Sequence, residues 1–357
     1  MKRMPVRGSH RPAWLVQRPP ARVPMIADVP MAEYDRRSFL ARLVVLSVAL
    51  PVGRRAHASP RRTPRIGFLS GGVASLNDAF TSELQRLGYV DGKNVVLAMR
   101  IHRTMADLVA QAAELASSDV DLVVAGALPQ ALEIRKNNPS MPMVIATCPG
   151  MVSNGFARSV ERPGGIYTGM DELPPGVTAK RLQLLKTGVP SVYRVALLST
   201  TPGRGGHELQ LADAEAAAPK LGVTVKPYRA TSSSELRSAL ANIAADGMDG
   251  MLNFQGGLSI GSSALISEFA RKQRLPAMYQ SALIVEAGGL MAWTPDQEEQ
   301  YRVAARNAVR ILRGARPGDI PIRFPSRYYL VINARAGADS GITLSAELLA
   351  RADRVIR

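Results

Sequence analysis

The chain has 357 residues, 46% apolar and 5% aromatic, with a formal net charge of +16 and one cysteine. That length suits two domains with aliphatic cores, and a lone cysteine, Cys148, excludes an intramolecular disulfide or a cysteine-framed metal site. Half of the charge excess lies in residues 1–58, which hold 11 Lys and Arg against 3 Asp and Glu; the remainder is too dispersed for a nucleic-acid footprint.

Residues 1–58 read as a disordered tail followed by an export signal. Arg36-Arg37-Ser38-Phe39-Leu40 precedes the apolar run Leu43 to Val52, and Ala56-His57-Ala58 supplies the small residues of a cleavage site. Paired arginines ahead of Phe-Leu fit a twin-arginine signal. The apolar run is about half the roughly 20 residues a membrane-spanning helix needs. The expected location is the periplasm, with a membrane tether if the signal stays uncleaved.

Beyond the signal the chain alternates. Ile66 to Leu69 is a buried strand ending at Ser70-Gly71-Gly72; a helix follows with Leu76, Phe80, Leu84 and Leu87 on one face, then a strand from Val95 to Met99. The unit repeats: helix Met105 to Ser117, strand Asp121 to Val124 ending at Gly126-Ala127, helix Gln130 to Asn137, and strand Pro142 to Ala146 ending at Thr147-Cys148-Pro149-Gly150. Gly- and Pro-rich turns at 162–169 interrupt the rhythm, and the first crossing between lobes is expected just after them.

Helix Thr178 to Thr187 restarts the pattern. Strand Val195 to Leu198 ends at Ser199-Thr200-Thr201, and helix Glu208 to Leu221 leads to strand Val223 to Pro227. Helix Ser233 to Ala245 then precedes strand Gly250 to Phe254, which ends at Gln255-Gly256-Gly257. Helix Ser263 to Arg274, strand Pro276 to Tyr279, strand Gly288 to Trp293, a helix opened by Pro295 and running to about Leu312, strand Tyr328 to Ile332 and a terminal helix Leu344 to Ile356 complete the chain.

The expected fold is α/β: two doubly wound parallel-sheet lobes joined by a hinge, with a ligand cleft between them. Residues 65–170 and 295–332 make lobe I, residues 171–294 lobe II, and 333–357 lie near the hinge. Ligands of such sheets bind at the carboxyl ends of strands. That rule selects Ser70, Gly71, Gly126, Ala127, Cys148 and Gly150 in the first lobe. In the second it selects Thr200, Gln255, Tyr279 and Gln280. Tyr279 suits stacking on a ligand ring, or a position bridging core and loop. The histidines show no metal-ligand spacing, neither a Walker-type phosphate loop nor a GxSxG elbow is present, and no catalytic residue, cofactor or metal is implied.

Several stretches, in order, carry a family resemblance. They are FTSELQRLGYVDGKN at 80–94, RPGGIYTG at 162–169, KRLQLLK at 180–186, LPAMY at 275–279, VEAGGLMAWTPD at 285–296 and ILRGARPGDIPIRFPSRYYLVIN at 311–333. Together they resemble the ABC-transporter substrate-binding proteins of the tryptophan-binding-like group, with the type I periplasmic-binding-protein fold. The resemblance implies a non-catalytic receptor that captures a small solute, an amino acid or an aromatic or organic acid. Its partners would be that solute and an inner-membrane permease with a separate ATPase, and the receptor would be monomeric with no nucleic-acid role. A sensor domain feeding a signalling partner, or a two-lobed enzyme, are the alternatives. Where many relatives have Asp-Pro or Asn-Pro, this chain has Gly150-Met151, Thr200-Thr201 and Gly256-Gly257. Those departures remove carboxylates that would pair with an ammonium, and favour a neutral or anionic solute.

Overall fold

The computed structural model describes residues 62–200 and 205–357. The expected tail and export signal lie outside these residues. Two sheets organise the rest, one of five strands and one of seven.

The first lobe runs β1 (Arg65–Ser70), α1 (Ala74–Arg86), β2 (Val96–Ile101), α2 (Met105–Ser117), β3 (Leu122–Ala125), α3 (Leu128–Asn137), β4 (Met143–Cys148) and β5 (Tyr167–Asp171). All its pairings are parallel, in the order β2-β1-β3-β4-β5. Strands β3 and β4 are buried at every position, as expected where helices cover both faces of a parallel sheet. Local signals set the helices: Thr104 and Asp107 form a reciprocal capping box at the start of α2.

The second lobe runs α4 (Val177–Gly188), β6 (Arg194–Ser199), α5 (Gly205–Ala217), a 3₁₀ turn (Ala218–Leu221), β7 (Thr224–Arg229), α6 (Ser233–Ala245) and β8 (Gly250–Phe254). It continues with α7 (Gly257–Gly261), α8 (Ser263–Lys272), β9 (Ala277–Tyr279), α9 (Ala282–Glu286) and β10 (Met291–Pro295). Helix α10 (Gln297–Leu312) then returns to the first lobe, packing on α1, β4 and β5. Last come β11 (Tyr328–Asn333), α11 (Ala334–Asp339), α12 (Ala346–Ala350) and β12 (Arg354–Ile356). The seven-stranded order is β12-β11-β10-β9-β8-β6-β7.

Several features differ from the sequence reading, three of them in the last third of the chain. Residues 328–332, assigned to lobe I, form β11 in the second sheet, because β10 has an open edge on which they pair antiparallel, Trp293 opposite Leu330. The terminal helix shortens to α12, because Asp353 docks on β11, donating its N–H to the Leu330 carbonyl at 2.9 Å and accepting the Leu330 N–H on its carboxylate at 2.8 Å, and turns the chain into β12. Pro295 ends β10 instead of opening a helix; Asp296 caps α10 by accepting the Glu299 N–H at 2.9 Å.

Helix α10 is fastened to α1 by charge. Glu83, 5% exposed, accepts from Arg86 at 2.7 Å and from Arg306 of α10 at 2.8 Å. The bond from Arg86, then that from Arg306, holds its carboxyl down at about 2. The folded value lies below the unfolded one, so this stabilisation is present above about pH 4.5 and is lost as pH falls toward 2. Glu83→Gln should therefore cost about 2 kcal/mol near pH 7 and almost nothing at pH 2, read from urea midpoints at the two values.

Candidate ligand cleft

Both sheets reverse direction of winding at one point: between β1 and β3 in the first lobe, and between β6 and β8 in the second. A crevice opens at such a switch, beyond the carboxyl ends of the two strands. The chain there is Ser70-Gly71 and Gly126-Ala127 on one side, and Ser199-Thr200 and Gln255-Gly256 on the other. Most of the residues selected from sequence therefore sit at the two switch points.

In the first lobe the Ser70 hydroxyl is occupied locally, 2.5 Å from Asn77 Oδ1 and accepting the Gly72 N–H at 3.1 Å. It shapes the loop that leaves Gly71 exposed. Beside Gly71, Gln130 Nε2 lies 2.7 Å from His102 Nε2, while Gln130 Oε1, in a residue only 5% exposed, has no partner. Burial pushes the His102 imidazole below its ordinary value. Gly126 is glycine for space: a Cβ would come 2.6 Å from the Tyr301 hydroxyl of α10. Gln130 and Tyr301 lie on helices, where no strand-end rule selects them, and His102 escapes that rule because β2 runs to Ile101, beyond the expected strand end at Met99.

Cys148 belongs to the hydrophobic core of lobe I, fully buried, and burial raises its thiol well above the ordinary value. Tyr279 is likewise fully enclosed in the core of lobe II, with its ring against Gly289. These two selected residues face cores because their strands carry apolar layers on both faces.

The end of β5 sets a buried acid against the β4 loop. The Asp171 carboxylate accepts N–H groups from Gly150 (2.9 Å), Met151 (2.8 Å) and Leu173 (2.9 Å). Burial raises its value against the pull of those three donors. Its neighbour Glu172 donates its own N–H to the Cys148 carbonyl, which places it on the same strand-end edge.

Across the cleft, Ser199 Oγ lies 2.6 Å from His207 Nδ1 at the start of α5. Gln280 accepts the Gln255 N–H at 3.2 Å and donates to Gln210 Oε1. Thr200 is 2% exposed, and its hydroxyl has no partner among the described residues. The lobes meet directly: the Gly206 backbone lies against the Pro149 carbonyl, and a Cβ on Gly150 would lie 3.1 Å from Gly206 Cα.

Compared with known proteins, residues 70–356 match the family model described as ABC transporter substrate binding protein. The chain belongs to this family. A tyrosine-binding protein of Clostridioides difficile strain R20291 is 24% identical over 255 residues, 71% of this chain and 73% of that one. Among solved structures, an ABC domain from Streptococcus pneumonia in complex with L-Trp superposes with a TM-score of 0.73 at 23% identity, over 82% of this chain and all of the other. A conserved domain protein from Vibrio cholerae O1 biovar El Tor gives 0.73 at 22% identity, with the same coverage. The substrate-binding protein fold is thus the type I periplasmic-binding-protein fold.

On the hinge side of the cleft, burial raises the Glu172 carboxyl to about 7, against the pull of Arg181. Below about pH 4.5 the group is protonated in folded and unfolded chains alike. Between there and pH 7 only the unfolded chain has released its proton, so stability falls, and above pH 7 the cost is constant. Glu172→Gln should accordingly stabilise the unliganded protein by about 2 kcal/mol at pH 8 and leave it unchanged at pH 4, followed as melting temperature against pH. Among the described residues no helix is long and apolar enough to cross a membrane.

Proposed function

We propose that this substrate-binding protein is the extracytoplasmic receptor of an ABC importer. It captures a small solute between its lobes and delivers it to an inner-membrane permease powered by a separate ATPase. The observation carrying this reading is the pairing of two strand-order switch points, with Pro149 against Gly206 closing one end. Such an arrangement encloses a small molecule and suits hinge closure around it. The solute is an amino acid or an aromatic or organic acid, a reading supported by relatives described as tyrosine-binding and as complexed with L-Trp. Contacts come from the β1 and β3 ends (Ser70, Gly71, Gly126, Ala127), from Gly150, and from Thr200, Gln255 and Gln280. His102 and Gln130 join them. The export signal at 36–58 supports a periplasmic site of action.

A thermal-shift screen of the purified protein against amino acids, aromatic acids, sugars and nucleosides tests this. A solute at a hundred times its dissociation constant adds about 2.7 kcal/mol. A compound that stabilises the protein and is recovered unchanged by mass spectrometry supports the receptor reading. Conversion of the compound, or a panel without any stabilising member, counts against it.

A further inference from the structure

The hinge-side wall of the cleft holds a charge that the fold leaves without an ion-pair partner. Arg181 on α4 is 3% exposed. Its Nε donates to the Trp293 carbonyl at 3.2 Å, and its Nη1 has no partner. Among the described residues it forms no ion pair. Asp213 is within electrostatic reach, but its Oδ2 accepts the Thr178 and Ala179 N–H groups at 2.8 and 3.1 Å. Glu172 is also in reach, and burial keeps it partly protonated at neutral pH. Burial lowers Arg181 only to about 10, so it stays a cation.

The surroundings are equally unfinished. Gln300 of α10 is fully buried, and its amide reaches only the Glu172 carboxyl, with no hydrogen bond of ordinary geometry; among the described residues the buried Thr178 hydroxyl also has no partner. Tyr328 stacks on Trp293 with centroids 4.4 Å apart, and its hydroxyl donates to the Glu172 carbonyl at 3.3 Å. An unpaired buried charge costs several kcal/mol, and buried amides are ordinarily bonded. A cation, an amide held only by Glu172 and an aromatic pair collected where two lobes meet make a wall awaiting an acceptor.

We propose that Arg181, with the Gln300 amide beside it, is the anion subsite of the cleft and takes the carboxylate of the solute. This rests on the receptor reading and narrows it: the solute is an acid, and the acid group lies on the hinge side. A carboxylate accepts from the free Nη1 and from the Gln300 amide, which turns to it from Glu172, while its charge offsets that of the guanidinium. Glu172, facing the same guanidinium, binds its proton more tightly when the anion is seated.

The test compares acids with their amides: phenylacetate with phenylacetamide, benzoate with benzamide, and L-tyrosine with L-tyrosinamide, by calorimetry on the full chain. Wild-type protein should prefer the acid of a binding pair by about 10- to 100-fold. Arg181→Gln should erase the preference while still binding the amide. Should that variant fail to fold, Gln300→Glu places a second carboxylate at the subsite and should weaken acids alone. Equal binding of acid and amide by the wild type, or a preference that survives Arg181→Gln or Gln300→Glu, overturns the proposal. A protein stabilised by sugars or nucleosides and by no acid also overturns it, yet leaves the receptor reading standing. Absence of binding by every class removes that reading, and the subsite with it.

Discussion

Gly206→Ala should hold the cleft open, weakening solute binding about a hundredfold while the unliganded protein melts within about 2 °C of the wild type. The argument begins at the start of α5, where the Gly206 backbone meets the loop after β4. A Cβ there would fall inside contact distance of the Pro149 carbonyl oxygen, 2.9 Å from its carbon and 3.3 Å from Leu173 Cδ1. Both atoms of that carbonyl are backbone, held by Asn154 Nδ2, which donates to the oxygen at 2.8 Å. Asp171 fixes the next two residues through their N–H groups. The loop therefore does not yield, and the lobes must separate instead. Each lobe keeps its own core, so stability is spared while the closed state loses population. Gly261→Ala, which meets nothing within 4 Å, is the control. Calorimetry with the solute and small-angle scattering without it would read the effect. An unchanged dissociation constant would mean that Pro149 and Gly206 do not meet in the liganded protein.

The strand ends were legible because strands ending in Gly-Gly, Gly-Ala or Ser-Thr announce themselves, whereas the strand order that makes two of them switch points comes from the sheets. What escaped was set by contacts distant in sequence. β5 follows Pro163-Gly164-Gly165, which reads as turn, and becomes a strand only because β4 offers it an edge. β11 seemed to continue with α10, but its residues are apolar on both faces and fill the edge beside β10. Glu172 and Arg181 are charged, and charge in a sequence suggests solvent; only the meeting of α4, α10 and the β5 end buries Arg181 and covers part of Glu172. Cys148 and Tyr279 fail in the opposite sense. A strand-end position predicts access, but β4 and β9 are covered on both faces to their ends, so either orientation buries these two.

Gly169→Ala should be the most damaging single change in the first lobe, costing more than about 4 kcal/mol and leaving little soluble protein. Gly169 pairs with Ile145 in the β4–β5 ladder, and a Cβ on it would lie 2.9 Å from both the nitrogen and the carbonyl carbon of Ile145. Those atoms belong to a strand buried on every side, so neither can move away. The ladder already carries an irregularity between Ile145 and Cys148, which brings Asp171 opposite Cys148. Pushing β5 outward would cancel that register and withdraw the Asp171 carboxylate from the Gly150 and Met151 N–H groups. It would also shift Glu172, the first residue of the crossing to α4. One methyl group would thus reach the β4 loop and the hinge together. Gly165→Ala, four residues earlier and with nothing within 4 Å of its Cβ, should stay within about 0.5 kcal/mol of the wild type. Urea midpoints of the two variants decide the matter: comparable values would show that β5 tolerates displacement, and that the loop carrying Gly150 is held by something other than this register.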